Sequence, residues 1–173
     1  MYREAYTISE LSSGAFDITV APLVNAWGFG TKGQTPTTSN KICIDSIMPY
    51  IGYYKTNLID HQIEKNDPRI TLDASAIAKG YACDVVANML RNEGCANLLV
   101  DIGGEVVVQG INNNGNAWRV GISKPKKNAM GMEDELQEVV ESTNLCMATS
   151  GNYLQYYFVD GQRRSHTIDP RNG

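Results

Sequence analysis

Residues 73–111 read DASAIAKGYACDVVANMLRNEGCANLLVDIGGEVVVQGI, and the spacing of apolar residues changes within this stretch. Over Ala76–Asn92 they recur at helical spacing, and Gly94 follows at the place where a helix commonly ends in glycine. Beyond Gly94 the pattern is typical of strands, at Asn97–Ile102 and Glu105–Ile111. The stretch therefore predicts one long helix followed by a pair of strands.

The residues before this stretch show shorter patterns of both kinds. Apolar spacing and punctuation by Gly, Ser and Pro predict short helices at 1–12, from Pro22 to about Trp27, and at Lys41–Ile51. The predicted strands here are Phe16–Val20, Tyr53–Lys55, Leu58–Gln62 and Ile70–Asp73. Residues 31–40 are mostly Thr, Gly, Pro, Ser and Asn, which predicts a loop.

The residues after this stretch are mostly strand-like. Glu105–Ser123 is predicted to form a hairpin around NNNGN, and Asp160–Gly161 marks a second tight turn. The other predicted strands are Leu136–Ser142, Leu145–Ala148, Tyr153–Val159 and Arg163–Ile168, with a loop at Asn128–Asp134. Helices mainly first and strands mainly later favour an α+β fold with antiparallel-rich sheets and packed helices, in a single domain over 1–173.

Composition and charge argue against several classes of protein. The formal net charge is −4, whereas nucleic-acid binders usually carry a basic surface. The four cysteines form no CxxC pair and only two histidines are present, so a zinc site is not expected. The cysteines stand in apolar stretches, where buried free thiols are common. No apolar run reaches the ~18 residues of a membrane-spanning helix.

Asp73–Asp84 joins the end of a predicted strand to the start of the long helix. Ser75 is a typical N-cap, and the free N–H groups of a helix start attract anions such as phosphate. Small side chains around it would let a ligand approach the backbone, and Lys79 stands one turn further on. Two interpretations stay open: an anion-binding helix start, or a plain capped core helix with an exposed lysine.

Two further segments place polar or flexible residues in apolar surroundings. Asp17 lies in an apolar run, and a buried carboxylate is costly unless paired, so it either caps the following helix or accepts a hydrogen bond from a nucleotide. Gly103 and Gly104 inside a strand pattern predict a bulge or a close approach of a backbone or ligand. Asp101 and Glu105 beside them are interpreted as simple surface groups.

The last polar segments are Ala148–Tyr153 and Ser165–Gly173. His166 is flanked by Ser165 and Asp169. A lone histidine is more often structural than catalytic, and these residues do not by themselves establish a serine–histidine–acid triad.

Taken together, these segments resemble the FAD:protein FMN transferase family, called ApbE and formerly described as a thiamine biosynthesis lipoprotein. The blocks that carry the resemblance are SGAFDITVAPLVNAWGFG, DASAIAKGYACDVVANML, NLLVDIGGEVVVQG, and ATSGNY followed by SHTIDPRNG. They occur in the family's order from about residue 2 to residue 173. The resemblance implies an ApbE-like, T-fold-like architecture, of which this chain is a central part truncated at both ends.

The resemblance also implies a reaction and its residues. A Thr or Ser hydroxyl of an acceptor protein attacks the FMN phosphorus of FAD in the presence of Mg²⁺, and AMP leaves. The residues that fall at flavin or nucleotide contacts are Ala15, Phe16, Asp17, Ser75, Lys79, His166 and Thr167, with His166 as the catalytic residue. Ala76 falls where the family offers a backbone carbonyl oxygen to Mg²⁺.

The family carries further sections outside these residues: an N-terminal one with a flavin-contacting methionine and often a lipoprotein signal, and a C-terminal one that completes the metal site. We therefore expect this chain to be weakly active or inactive, and a non-catalytic FAD-binding or flavin-carrier protein is the alternative. The resemblance implies the bacterial cell envelope, on the periplasmic side of the inner membrane. It implies no nucleic acid partner, and membrane contact only through a lipid anchor outside this sequence.

Overall fold

A computed structural model describes residues 1–30, 43–124, 136–153 and 155–173. It confirms the α+β class, because several helices accompany sheets whose strand pairs are all antiparallel in the described residues. The chain groups into two compact units, Met1–Ala76 with Gln155–Gly173, and Ile77–Leu154. The expectation of a single domain stays a prediction. Within the described ranges, none of the helices combines the length and apolar character needed to cross a bilayer.

The first unit contains short helices and two hairpins. Its helices are α1 (Tyr2–Leu11), α2 (Ala21–Ala26) and α3 (Ile44–Ile47), with 3₁₀ turns at Ile18–Val20, Met48–Tyr50 and Tyr53–Lys55. Its hairpins pair β1 (Thr56–Ile59) with β2 (Gln62–Lys65), and β8 (Tyr156–Val159) with β9 (Gln162–Ser165). The second hairpin turns at Asp160 and Gly161, whose positive φ angles of 51° and 73° confirm the predicted tight turn.

The second unit is built on the long helix, most of which it contains. The helix is α4 (Ser75–Asn92), and the strands are β3 (Leu98–Ile102), β4 (Glu105–Gln109), β5 (Trp118–Ser123), β6 (Leu136–Ser142) and β7 (Asn144–Met147). One sheet has the order β3-β4-β7, and a separate two-stranded sheet pairs β5 with β6. The helix ends as predicted, because Gly94 has a φ of +87° and the Cys95 N–H donates to the Leu90 carbonyl.

A small hydrophobic core joins α4 to the three-stranded sheet. Its buried members are Cys83, Ala87, Leu98, Val100 and Val107. The small side chains of Cys83 and Ala87 allow the helix to approach the sheet closely, and the Cys83 thiol donates to the Glu105 carbonyl at 3.0 Å. Burial raises the pKa of that thiol.

The predicted burial of the cysteines is partly wrong, and several apolar side chains of α4 are exposed. Tyr81, Val85 and Met89, which share the helical period, are 42%, 50% and 56% exposed, because the helix faces the sheet through its smaller residues. Cys43, Cys95 and Cys146 are exposed, and Cys83 is the buried free thiol among the four.

Three predicted strands before α4 are wrong. Phe16–Val20 forms a 3₁₀ turn capped by Asp17, Tyr53–Lys55 forms another 3₁₀ turn, and Ile70–Asp73 pairs with no strand in the described chain. Leu58–Gln62 is split by the turn between β1 and β2, where Asp60 and His61 have positive φ angles. Short apolar alternation did not outweigh the capping and turn chemistry of these segments.

The structure corrects two further predictions and does not describe two of the predicted loops. Lys41–Ile51 is helical over Ile44–Ile47 and then tightens to 3₁₀ geometry at Pro49, while residues 41 and 42 lie outside the described residues. The Glu105–Ser123 hairpin is reduced to a single bridge between Ile111 and Ala117, because β4 pairs with β3 and β7 and β5 pairs with β6. The loops predicted at 31–40 and 128–134 lie outside the described residues.

Candidate functional site

The first candidate segment is organised around the Asp17 carboxylate, which is 4% exposed. Oδ1 accepts the Thr19 N–H at 2.8 Å and the Thr19 hydroxyl at 2.7 Å, and Oδ2 accepts the Tyr53 N–H at 2.7 Å. The Thr19 hydroxyl in turn accepts the Gly52 N–H at 2.7 Å. Of the two interpretations left open for Asp17, the structure shows capping, but of the 3₁₀ turn Ile18–Val20 that precedes α2. Asp17 also accepts a long-range bond from Tyr53, and its partner Thr19 accepts one from Gly52.

This arrangement leaves the residues before Asp17 accessible. Ala15 is exposed and Phe16 is half-buried, with the Phe16 N–H donating to the Ser12 hydroxyl at 3.1 Å. The neighbouring Gly14 lies against Arg171: a Cβ added at Gly14 would be 3.8 Å from Arg171 Cγ. The first unit thus brings the segment around residue 15 together with the end of the chain.

The start of α4 is tied to the same segment. The Asp73 N–H donates to the Ile18 carbonyl at 2.6 Å, and the Asp73 carboxylate accepts the Ser75 N–H at 2.8 Å. The capping side chain is therefore Asp73, and the prediction of Ser75 as the cap is wrong. Ser75 and Ala76 are exposed, and the following amides of the first helical turn have no partner within the helix. This helix start can offer N–H groups to an anion.

Lys79 is held over the Gly103–Gly104 turn of the second unit. Its Nζ donates to the Gly103 carbonyl at 2.9 Å and lies 2.6 Å from Glu105 Oε2. The Lys79 side chain is 50% exposed, whereas that of Glu105 is 12% exposed. Lys79 is thus a fixed cation on the surface, and the interpretation of Glu105 as a simple surface group is wrong.

The glycine pair forms a hairpin turn, so the predicted bulge is wrong. Ile102 pairs with Glu105 across the two glycines, whose φ angles are 60° and 92°. Glycine adopts positive φ angles at no steric cost, and paired glycines are common in two-residue hairpin turns. The neighbour that comes close is the Lys79 side chain, since a Cβ at Gly103 would lie 3.2 Å from Lys79 Cδ. The predicted approach of a backbone or ligand stays a prediction. Asp101 supports the turn by accepting the Gly104 N–H at 3.0 Å.

His166 follows the β8–β9 hairpin of the first unit and is half-buried. Its backbone N–H donates to the Gln155 carbonyl at 3.3 Å, and its Nδ1 lies 3.4 Å from the same oxygen. The Phe29 ring stands edge-to-face with the imidazole, with centroids 6.3 Å apart. Thr167 is exposed beside it. Among the described residues, the imidazole therefore has one long polar contact and one aromatic neighbour.

Asp169 is engaged with Arg171 and is not placed to orient His166. Its Oδ1 accepts the Arg171 N–H at 3.0 Å and Nε at 2.9 Å, and its Oδ2 lies 2.7 Å from Nη2. The Arg171 guanidinium and backbone N–H lower the pKa of Asp169 to about 2. Asp67 and Arg69, in the other Asp-Pro-Arg triplet, make the same contacts.

Replacing Arg171 with Gln is expected to raise the pKa of Asp169 from about 2 towards its ordinary 3.8. Because the folded-state pKa is depressed, the pair contributes stability above pH ~4 that is lost as the pH falls towards ~2. Carboxyl ¹³C NMR titration measures the shift. Arg69→Gln is the matched control, since it should raise the pKa of Asp67 and leave the pKa of Asp169 unchanged. An unaltered Asp169 pKa in Arg171→Gln would refute the assignment.

The described residues do not form a metal site by themselves. No group of three or more His, Cys, Asp or Glu side chains within the described ranges lies close enough to hold a cation. The Ala76 carbonyl lies in the first turn of α4, at the end of the helix that carries positive partial charge. A hard cation normally takes about six oxygen ligands. The described residues therefore supply no complete set of side-chain ligands for Mg²⁺.

The structure places the predicted contact residues in both units. Those of the first unit are Ala15, Phe16, Asp17, Ser75, Ala76, His166 and Thr167, and the second unit contains Lys79. Their roles as flavin and metal contacts stay predictions. Sequence reasoning missed Asp73 as the cap, Phe29 beside the histidine and Glu105 beside the lysine. Only Asp73 had a readable signal, as a capping-type residue just before the helix.

Comparisons with known proteins agree in fold and sequence. The ApbE family model matches residues 1–173. A FAD:protein FMN transferase of Vibrio cholerae is 37% identical over 171 residues, covering 99% of this chain and 50% of the relative. One from Salmonella typhimurium is 39% identical over 173 residues, covering 98% and 48%. The chain therefore spans about half the length of these relatives.

Solved structures give the same match. The flavin transferase ApbE from Vibrio cholerae superposes with a TM-score of 0.80 at 36% identity, covering 98% of this chain and 52% of that one. The apo form of the Pseudomonas stutzeri flavinyl transferase ApbE gives 0.81 at 32% identity, covering 99% and 51%. The likeness in structure confirms the fold class predicted from the sequence.

Proposed function

Because the chain belongs to the ApbE family, we propose that it provides the central part of an FAD:protein FMN transferase. In this proposal FAD is the substrate, and a protein with an accessible Thr or Ser hydroxyl is the acceptor. The curated relatives that support it are named for this activity. The observation in this chain that carries it is Lys79, a half-exposed cation fixed one turn into α4 by Gly103 and Glu105.

The proposed binding mode uses the charge of the helix start. The exposed first turn of α4 offers free N–H groups and the positive end of an 18-residue helix. Lys79 adds an ammonium group on the same helix, and its contacts with the Glu105 carboxylate and the Gly103 carbonyl keep it from turning freely. A dianionic pyrophosphate is the FAD group that suits such donors. The flavin contacts proposed in the first unit are Ala15, Phe16, Asp17, Ser75, His166 and Thr167.

The proposed reaction exchanges the phosphoanhydride bond of FAD for a phosphoester bond to the acceptor. The acceptor hydroxyl oxygen forms a bond to the FMN phosphorus, the bond from that phosphorus to the AMP oxygen breaks, and the hydroxyl proton passes to a base. His166 is the proposed base. With its Nδ1–H donating to the Gln155 carbonyl, Nε2 would carry the lone pair that accepts the proton.

Several finer parts of the proposal rest on the family resemblance. Ala76 would give its carbonyl oxygen to Mg²⁺, a cation for which the described residues supply no complete site. When bound, such an ion supplies charge neutralisation at the phosphates. We place the protein in the bacterial cell envelope, held there by a lipid anchor.

A non-catalytic FAD-binding or flavin-carrier protein is the second candidate. The observation that favours it is the incomplete metal site in the described ranges. A carrier would bind FAD and leave a threonine-bearing acceptor unmodified, whereas a transferase would add FMN to it and release AMP.

Lys79→Ala is expected to weaken FAD binding about tenfold or more, because a charged hydrogen-bond donor contributes about 1.5–3 kcal/mol. Quenching of flavin fluorescence on titration, with and without Mg²⁺, measures the dissociation constant. Arg91→Ala is the matched control: it removes a cation of the same helix that bonds Gln109 and Asn88. Equal affinity of Lys79→Ala and the unchanged protein would remove Lys79 from the site.

A further inference from the structure

The His166 imidazole has few restraints of its own. The contact of Nδ1 with the Gln155 carbonyl is long, at 3.4 Å, and the backbone N–H shares the same acceptor at 3.3 Å. Hydrogen bonds at such distances are weak. Since the described part of the chain gives the ring one long polar contact, the orientation of the ring depends on the side chains that pack against it.

Phe29 is the aromatic neighbour that packs against it. The two ring planes meet at 68° with centroids 6.3 Å apart, an edge-to-face arrangement. We propose that Phe29 is a positioning residue that holds the His166 imidazole in the orientation needed for proton transfer. This inference rests on the proposed function, in which His166 is the base.

The backbone fixes Phe29 at the end of α2. Gly28 leaves the helix with a φ of +75°, and the Phe29 N–H donates to the Val24 carbonyl at 3.0 Å. The position after it is equally constrained, since a Cβ at Gly30 would fall 1.8 Å from Asn25 Oδ1. A helix end of this kind fixes the backbone of Phe29, and with it the direction of the Cα–Cβ bond.

Tyr157 also packs against the Phe29 ring. Its ring lies 5.0 Å from that of Phe29, and its hydroxyl donates to the Trp27 carbonyl. Burial raises the pKa of Tyr157, so the phenol stays protonated and able to donate this bond at neutral pH. Tyr157 therefore anchors the β8–β9 hairpin, which carries His166 at its end, to the same turn that presents Phe29.

A positioning role for Phe29 predicts different effects on FAD binding and on kcat. Phe29 need not touch the substrate, so its loss should leave FAD affinity nearly unchanged. An imidazole free to turn would hold the reactive nitrogen in place for a smaller part of the time. We expect kcat for FMN transfer to fall about two- to tenfold in Phe29→Leu, with the KM for FAD unaltered. Phe29→Tyr keeps an aromatic ring and should have the kcat of the unchanged protein.

Imidazole NMR tests the positioning without depending on transfer. The chain has only two histidines, so His166 is the reporter and His61, in the β1–β2 turn, is the internal reference. In Phe29→Leu the ring-proton resonances of His166 should shift while those of His61 stay. Phe158→Leu is the matched control, because Phe158 belongs to the same hairpin and is 66% exposed. It should move neither histidine.

The outcomes separate the inference from the proposed function. Unshifted His166 resonances in Phe29→Leu would overturn the positioning role. If that variant failed to fold, the unchanged protein would still provide a test, because the absence of cross-relaxation between the Phe29 and His166 ring protons would also overturn it. A shift without any change in kcat would also overturn it. Normal transfer by His166→Ala would instead refute the proposed role of the histidine itself.

Discussion

Asp17→Ala is expected to lower the free energy of unfolding by about 3 kcal/mol or more, a large share of the ~5–15 kcal/mol typical of a domain. The carboxylate is almost completely buried and accepts three hydrogen bonds, from the Thr19 N–H, the Thr19 hydroxyl and the Tyr53 N–H. Each donor left without a partner costs about 1–3 kcal/mol. Urea denaturation measures the loss.

A milder variant of Asp17 and a control at an exposed carboxylate test whether the loss of stability comes from the buried hydrogen bonds. Asp17→Asn keeps one carbonyl acceptor and should lose less stability than Asp17→Ala. Asp84→Ala removes an exposed carboxylate and should change the free energy of unfolding by at most about 0.5 kcal/mol. If Asp17→Ala were as stable as Asp84→Ala, the carboxylate would not be the structural centre of this segment.

His166→Ala is expected to reduce the rate of FMN transfer about 10²- to 10⁴-fold, the usual contribution of a positioned acid–base group. The loss in folding stability should be small, because the side chain is only half-buried and its contact with Gln155 is long. Acceptor labelling followed by intact mass measures transfer, and thermal unfolding measures stability.

His61→Ala provides the matched control for the histidine. His61 is exposed in the β1–β2 turn, so its replacement tests general effects of losing an imidazole. It should leave transfer unchanged. If the two variants transferred FMN equally well, His166 would be a structural residue.

The parts of the fold that could be predicted have strong local signals. The long helix extends over Ser75–Asn92 as its apolar spacing indicates, and Gly94 ends it with the predicted left-handed backbone. The strands beside the glycine pair and the turn at Asp160–Gly161 were also readable, because glycine and aspartate favour the backbone angles of tight turns. Each of these depends on residues close together in sequence.

The parts that could not be predicted depend on contacts between distant residues. Phe16–Val20 alternates like a strand, but Asp17 bonds to Tyr53, 36 residues away. Glu105–Ser123 contains a turn sequence, but β4 finds its partners in β3 and β7. Strand pairing and long-range capping are decided by burial of the whole unit, which a single sequence does not display.

The candidate site shows the same limit. The sequence singled out Lys79 and His166, but their partners were beyond reach: Glu105 approaches through the hairpin turn, and Phe29 through the packing of β8–β9. Family resemblance identified candidate residues, whereas only the structure shows which side chains restrain them.

The most direct test of the central claim follows both products of the proposed reaction. The protein is incubated with FAD, Mg²⁺ and a threonine-bearing acceptor, and FMN-modified acceptor and AMP are quantified together, with the Vibrio cholerae relative as positive control. A transferase predicts modified acceptor and AMP in equal amounts, both greatly reduced in His166→Ala. Saturable FAD binding with neither product would contradict catalysis by this chain and support a flavin-binding or carrier role.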